Sequence, residues 1–299
     1  MFHLNSSRNI INVHSTINSG QYFLWEKRNN SWYGIYEDSV LKITLPDNKN
    51  NLIYKYDSFP RIEDWQKYVF RLDDKYDEII DEISRKDRII ENITREYFGL
   101  RIMRQKPIQC IISFLCSSNN NIPRIRLILR NLSRKFGKKI EWNDNIFYTF
   151  PTLKTLSMIS QSELLHCGFG YRAEYVRRTV KSIVDQEVDM KFIRDSDYAK
   201  SKQEILKLAG VGEKIADCIL LFAFDKMEAF PMDTWIIKLF QKKLDHMILS
   251  GIGFKINDKI TPSQYRFISK KIREHYGEYS GYAQQFLYYN IREENSRSW

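Results

Sequence analysis

The sequence predicts an α+β fold: an N-terminal antiparallel β-sheet domain followed by a mainly α-helical domain. Three observations carry this. Short runs of β-branched and aromatic residues, separated by turn-like breaks, fill the first ~60 residues. After Pro60 the apolar residues change to helical spacing. From Pro107 onward the chain reads almost wholly as helix. The domains are placed at 1–95, the sheet with its linking helices, and 96–299, the helical part.

Taken in order, Ser31–Tyr36 and residues 40–45 are strand candidates, with Glu37, Asp38 and Ser39 as the turn between them. Residues 46–51 form a polar loop, and residues 52–56 a further strand. Tyr76, Ile79, Ile80 and Ile83 share one helical face; Ile89, Ile90, Ile93 and Tyr97 share another. Pro107 suits the first turn of a third helix, which turns Ile108, Ile111, Ile112 and Leu115 inward. Ser201-Lys202-Gln203-Glu204 has the capping-box pattern for a helix through Ile205 and Leu208. Residues 213–222 read as the next helix, and Asp233 as the cap of another, Thr234–Leu239. Residues 293–298 read as a frayed tail. No repeat of fixed period and no low-complexity linker occurs.

Composition narrows the function classes. Hydrophobic residues make up 43% and aromatics 14%, the balance of a globular chain. The formal charge of +10 favours a polyanionic partner, although many basic proteins bind no nucleic acid. No run of about 18 apolar residues suggests a membrane span. The opening MFHLNSSRNIINVHS lacks an apolar h-region and a small-residue cleavage site, so a cytoplasmic, nucleoid-associated monomer is expected. Cys110, Cys116, Cys167 and Cys218 fit neither a zinc ribbon nor an iron–sulfur ligand run, so neither cofactor is expected. The first three read as reduced, buried thiols.

The most informative segment is Gly210-Val211-Gly212, between two helices. Two glycines around a small apolar residue permit a tight turn and let backbone N–H groups approach an anion. Lys214 follows in the first turn of the second helix, and Asp233 lies further on, after Pro231. Viewed alone, Lys214 reads as a solvated lysine and Asp233 as an ordinary helix cap.

Together the stretch LKLAGVGEKIADCILLFAF and the later AFPMDTW resemble the helix–hairpin–helix/Gly-Pro-Asp superfamily of DNA glycosylases. The resemblance implies that Lys214 attacks C1′ of a damaged nucleotide, that Asp233 assists, and that Gly210, Val211 and Gly212 hold a DNA phosphate. The chemistry needs those types. Departure of a purine leaves oxocarbenium character at the sugar, which a carboxylate stabilises. A neutral amine traps C1′ as a Schiff base, and the acidified C2′ proton then permits β-elimination. Cys218, four residues after Lys214, lies on the same helical face and could pack against the amine.

Three further segments resemble the 8-oxoguanine DNA glycosylase/AP lyase branch. Residues 100–107 (LRIMRQKP) and 116–124 (CSSNNNIPR) are similar to the segment that fills the gap and reads the orphaned cytosine, which assigns Asn119 and Arg124. Residues 167–172 (CGFGYR) make Tyr171 the wedge and Arg172 the second cytosine reader. In residues 19–25 (SGQYFLW) the resemblance sets the Gly20 carbonyl against the N7 hydrogen of 8-oxoguanine. Gln284 and Tyr288 match the pocket glutamine and aromatic, where the family usually has phenylalanine at the second position. Trp235 stands where relatives carry histidine near a phosphate, and Asn290 where an acid is expected in the pocket region.

The expected function is therefore flipping and excision of 8-oxoguanine opposite cytosine in double-stranded DNA, followed by strand cleavage. No cofactor is required; a structural monovalent ion at the hairpin is the one ion this reading allows. The rivals are a silent DNA-binding module that keeps the hairpin and an alkyl-purine glycosylase without the lysine. Lys214 and Asp233 together argue against the first, and Lys214 against the second.

Overall fold

The computed structural model describes residues 10–46, 54–241 and 260–296. Helix α1 (Val13–Asn18) is capped by Asn12, whose side chain accepts from the Ser15 amide at 3.0 Å. Four strands follow: β1 (Trp25–Arg28), β2 (Ser31–Tyr36), β3 (Ser39–Thr44) and β4 (Lys55–Phe59). They form one antiparallel sheet in chain order. Glu37 and Asp38 are its central two-residue turn, with Tyr36 paired to Ser39. Every residue of β2 is buried, because both faces of the sheet are covered. Trp25 packs beside Trp65 and Phe70 on one side, and Tyr33 meets Phe147 at 5.1 Å on the other.

Some boundaries differ from expectation. β1 was not foreseen, since Glu26-Lys27-Arg28 reads as a polar break; pairing with β2 makes it a strand. The strand expected at 52–56 is β4, which begins at Lys55; residues 47–53 lie outside the described residues.

Helices then dominate: α2 (Trp65–Val69), α3 (Tyr76–Ser84), α4 (Arg88–Glu96), α5 (Pro107–Ser117) and α6 (Ile122–Phe136). The apolar faces of α3 and α4 bury Tyr76, Ile79, Ile80, Ile83, Ile90 and Ile93 as their spacing requires. Among the described residues the helical reading beyond Pro107 fails at one hairpin. β5 (Lys139–Trp142) and β6 (Asn145–Tyr148) form it. Asn143 and Asp144 both carry positive φ, 50° and 56°, as a two-residue hairpin turn demands. The Arg28 guanidinium covers Phe147 at 4.4 Å and fastens this hairpin to the sheet.

Among the described residues the remaining α-helices are α7 (Leu153–Met158), α8 (Gln161–Cys167), α9 (Arg172–Val184), α10 (Met190–Asp195), α11 (Tyr198–Ile205), α12 (Glu213–Ala223), α13 (Thr234–Leu239), α14 (Pro262–Tyr276) and α15 (Ser280–Ser296). Helix α11 does not start at the capping-box pattern of Ser201. Asp197 caps it, accepting from the Lys200 amide at 2.9 Å, and the buried Ser201 hydroxyl donates to Ile193 O. The frayed tail is also corrected: α15 continues to Ser296, with Asn290 Nδ2 donating to Glu294 Oε1 at 3.0 Å. Residues 297 and 298 lie outside the described residues. Among the described residues no helix is long and apolar enough to cross a membrane.

Two contacts set the site. Helix α5 packs along α12, with Phe114 stacked on Phe222 at 5.4 Å. Helix α15 packs on α3, α4 and α13. The seam between the N-terminal segment and α5 runs through Gln21, which has no exposed surface. Its Nε2 donates to Arg101 O and Ser19 Oγ, each at 2.8 Å, and its Oε1 accepts from the Met103 amide at 2.7 Å. Gln21→Ala leaves several buried groups unpaired and is expected to cost about 3 kcal/mol of stability. Urea unfolding checks this: a loss under about 1 kcal/mol means that the seam is held elsewhere.

Candidate active site

The turn between α11 and α12 places the N-terminus of α12 at the surface. Gly210 takes φ +78°, and a Cβ there would lie 2.6 Å from the Tyr175 ring, so no other residue fits without displacing it. Val211 is buried and anchors the turn, while Gly212 caps α12 from an exposed position. The open N–H groups of α12 point the way that a helix offers to an anion. Arg266 and Lys202 both reach Glu213 in that first turn, at 2.7 and 3.0 Å, and offset its charge.

Lys214 is partly buried on the same turn. Its Nζ donates to Ser117 Oγ at 3.3 Å and lies 5.5 Å from the centre of the Phe114 ring. Packing of α5 against α12 thus aims the amine. Asp233 caps α13, accepting from the Trp235 and Ile236 amides at 3.0 Å each. Burial pushes its carboxyl up, and the charge of Lys214 is the chief influence that pulls it back.

Both line one cleft of about 960 Å³. Gly20, Cys218, Gln284 and Tyr288 line it as well. Gly20 has φ +72°, and a Cβ would come within 3.0 Å of the Tyr288 ring and hydroxyl. Burial raises the Tyr288 phenol and keeps it a neutral hydroxyl. Burial likewise pushes the Cys218 thiol up to about 12. Gln284 is buried, and among the described residues its Oε1 has no hydrogen-bond partner.

The second expected cluster sits at the rim. The asparagine triplet divides its labour. Asn120 Nδ2 donates to Cys116 O at 3.1 Å, Asn121 caps α6 through the Arg124 amide at 2.9 Å, and Asn119 is exposed with φ +48°. Arg124 and Tyr171 are exposed, Tyr171 at 58%. Arg172 differs: it is buried against the loop, donating to Ser118 O and, at 3.2 Å, to Asn119 O, with its guanidinium over the Tyr171 ring at 4.4 Å.

Three of the cleft residues that sequence reasoning did not assign bear on the site. Ser117 was quoted but not singled out; Tyr265 and Arg292 carry no motif signal. Arg292 lies over the Tyr288 ring at 5.4 Å and donates to Asn18 O at 2.9 Å. Trp235 lines the cleft, whereas Asn290 bonds within α15 and does not. Among the described residues no group of three or more His, Cys, Asp or Glu gathers that could hold a metal ion.

The family model of the 8-oxoguanine DNA glycosylase N-terminal domain matches residues 3–111, and that of the HhH-GPD superfamily base excision DNA repair protein matches 112–244. N-glycosylase/DNA lyase OGG1 of Arabidopsis thaliana is 33% identical over 216 residues, 71% of this chain. A probable N-glycosylase/DNA lyase of Methanothermobacter thermautotrophicus is 33% identical over 214 residues, 65% of this chain. The chain spans 57% and 64% of these two relatives, less than two thirds of each. The crystal structure of Clostridium acetobutylicum 8-oxoguanine glycosylase/lyase, in complex with dsDNA containing cytosine opposite 8-oxoG, superposes with a TM-score of 0.81 at 31% identity. That match covers 95% of this chain and 93% of that one.

The buried Asp233 has a consequence for stability. Its raised folded pKa means that the folded state binds the proton more tightly than the unfolded chain does. Stability from this group is therefore present at acid pH and lost as pH rises through the folded value. Asp233→Asn keeps the cap and removes the buried charge. It is expected to raise Tm by a few degrees at pH 7.5, with the gain shrinking toward pH 4. Calorimetry at the two pH values decides it; a lowered Tm at pH 7.5 means that the charge stabilises the fold.

Proposed function

The chain belongs to the 8-oxoguanine DNA glycosylase family, and from that premise we propose that it excises 8-oxoguanine opposite cytosine from double-stranded DNA and then cleaves the strand as an AP lyase. One observation carries the reading: Lys214, Asp233, Gly20 and Gln284 all line a single cleft.

The target atom is C1′, unreachable inside a duplex, so the damaged nucleotide is extruded into the cleft. The N-terminus of α12 holds a backbone phosphate. Tyr171, exposed at the rim, wedges into the gap, and Asn119 and Arg124 meet the widowed cytosine. Arg172 joins them by giving up its bonds to the Ser118 and Asn119 carbonyls. Within the pocket the Gly20 carbonyl accepts from N7–H, present in 8-oxoguanine and absent in guanine. Gln284 offers a buried acceptor to a ring N–H, and Cys218 and Tyr288 supply walls for the base.

Lys214 Nζ attacks C1′ as the bond from C1′ to N9 breaks, and the departing base takes up a proton. Asp233 stabilises the positive charge that develops on the sugar. The nitrogen lone pair then closes a C1′=N double bond as the C1′–O4′ bond breaks, and O4′ takes up a proton and leaves as a hydroxyl, which gives the protonated Schiff base. Removal of a C2′ proton then expels the 3′ phosphate by β-elimination.

Lys214→Gln is expected to abolish both excision and borohydride trapping while leaving binding of lesion DNA within about threefold. A borohydride-stable adduct from this variant would identify a different amine as the nucleophile. Arg124→Ala is expected to lower the ratio of excision opposite cytosine to excision opposite adenine by about tenfold, since a bidentate base contact contributes about 1–3 kcal/mol. Single-turnover rates on the two duplexes check it; an unchanged ratio removes Arg124 from cytosine reading.

A further inference from the structure

Lys214 and Asp233 sit on different elements, and an amine and a carboxylate acting on one sugar must keep their spacing. The α5 contact aims Lys214. A second link reaches the Asp233 loop. Tyr265, on α14, lines the cleft and is buried. Its hydroxyl accepts from the Met232 amide at 3.0 Å and donates to Asp217 Oδ2 at 2.8 Å. Met232 is the residue before Asp233, and Asp217 is one helical turn after Lys214. One oxygen atom therefore connects the backbone that carries the carboxylate to the helix that carries the amine.

The far end of the link is fixed. Asp217 has no exposed surface and accepts from Tyr198 OH at 2.6 Å and from Lys202 Nζ at 2.9 Å. Lys202 also pairs with Glu213, the residue before Lys214, at 3.0 Å. A buried carboxylate with these donors is costly to disturb. Helix α12 is thus held on both sides of Lys214, and Tyr265 passes that position on to Met232.

We propose that Tyr265 is a positioning residue that sets the register of Asp233 against Lys214. This rests on the lysine–aspartate reading above. Tyr265 touches no reacting atom and acts through the Met232 amide.

The test is a comparison of Tyr265→Phe with Tyr198→Phe. Each removes one buried hydroxyl bonded to Asp217, but only Tyr265 reaches Met232. Both are assayed below the lower of their melting temperatures. Tyr265→Phe is expected to slow single-turnover excision about ten- to hundredfold while lesion-DNA Kd changes less than about threefold. Tyr198→Phe is expected to stay within about threefold of the native rate. A double-mutant cycle gives the second readout: if Tyr265 acts through Asp233, Tyr265→Phe costs little more once Asp233→Asn is present. Asp217→Asn reads the link from its other end and must show the same non-additivity, even if Tyr265→Phe does not fold. Equal losses from the two tyrosine variants, or additive losses in the cycle, overturn the inference. A native protein that neither excises 8-oxoguanine nor traps with borohydride overturns instead the reading on which it rests.

Discussion

Gln21 is a primary amide with no exposed surface, and burying such a group demands that its donors and acceptor be met. The partners come from residue 19 and from the backbone at 101 and 103, so the N-terminal segment and the approach to α5 have one relative position. Gln105 closes the seam by donating to Gln21 O at 2.5 Å. Gly20 is held between two of these bonded residues. The chain that leaves 105 becomes α5, whose far end carries Ser117 and the asparagine loop. Gln285 then donates to Ser19 O at 2.7 Å and brings α15 to the same place, with Gln284 and Tyr288 beside it. Parts of the cleft distant in sequence thus share one buried hydrogen-bond junction.

Much of this was legible in the sequence, for reasons that differ by residue. Helices α3, α4 and α5 were readable because their apolar faces repeat at helical spacing. Lys214 and Asp233 were singled out through the resemblance of the stretches that carry them, and the structure brings both into one cleft. The β5–β6 hairpin was missed because its strands are only four residues each, too short for periodicity to distinguish; the Asn143-Asp144 turn was the available signal. Arg172 matched a motif, yet the motif does not record that its guanidinium packs on the Ser118 carbonyl. Tyr265 and Arg292 had no local signal at all. Their positions follow from how α14 and α15 pack, which is a property of the whole chain.

Asp233 illustrates how site and stability conflict. Its two bonds to backbone amides stabilise the start of α13, and its buried charge opposes folding at neutral pH. The same carboxylate is the one that the proposed chemistry requires. Asp217 is a second fully buried acid, surrounded by an ammonium and two hydroxyls. Burial pushes both carboxyls up, and each is drawn back chiefly by a lysine, Lys214 for Asp233 and Lys202 for Asp217.

All four cysteines are buried free thiols, and burial raises each of them above its ordinary range. Peroxide attacks the thiolate, and the ladder from sulfenic to sulfonic acid starts there. Cys218 faces the cleft, yet burial pushes its thiol up to about 12 and favours the protonated form. On the proposed reading, the lesion this protein removes is made by the same oxidants. Burial thus withholds from these four thiols the form that such oxidants attack.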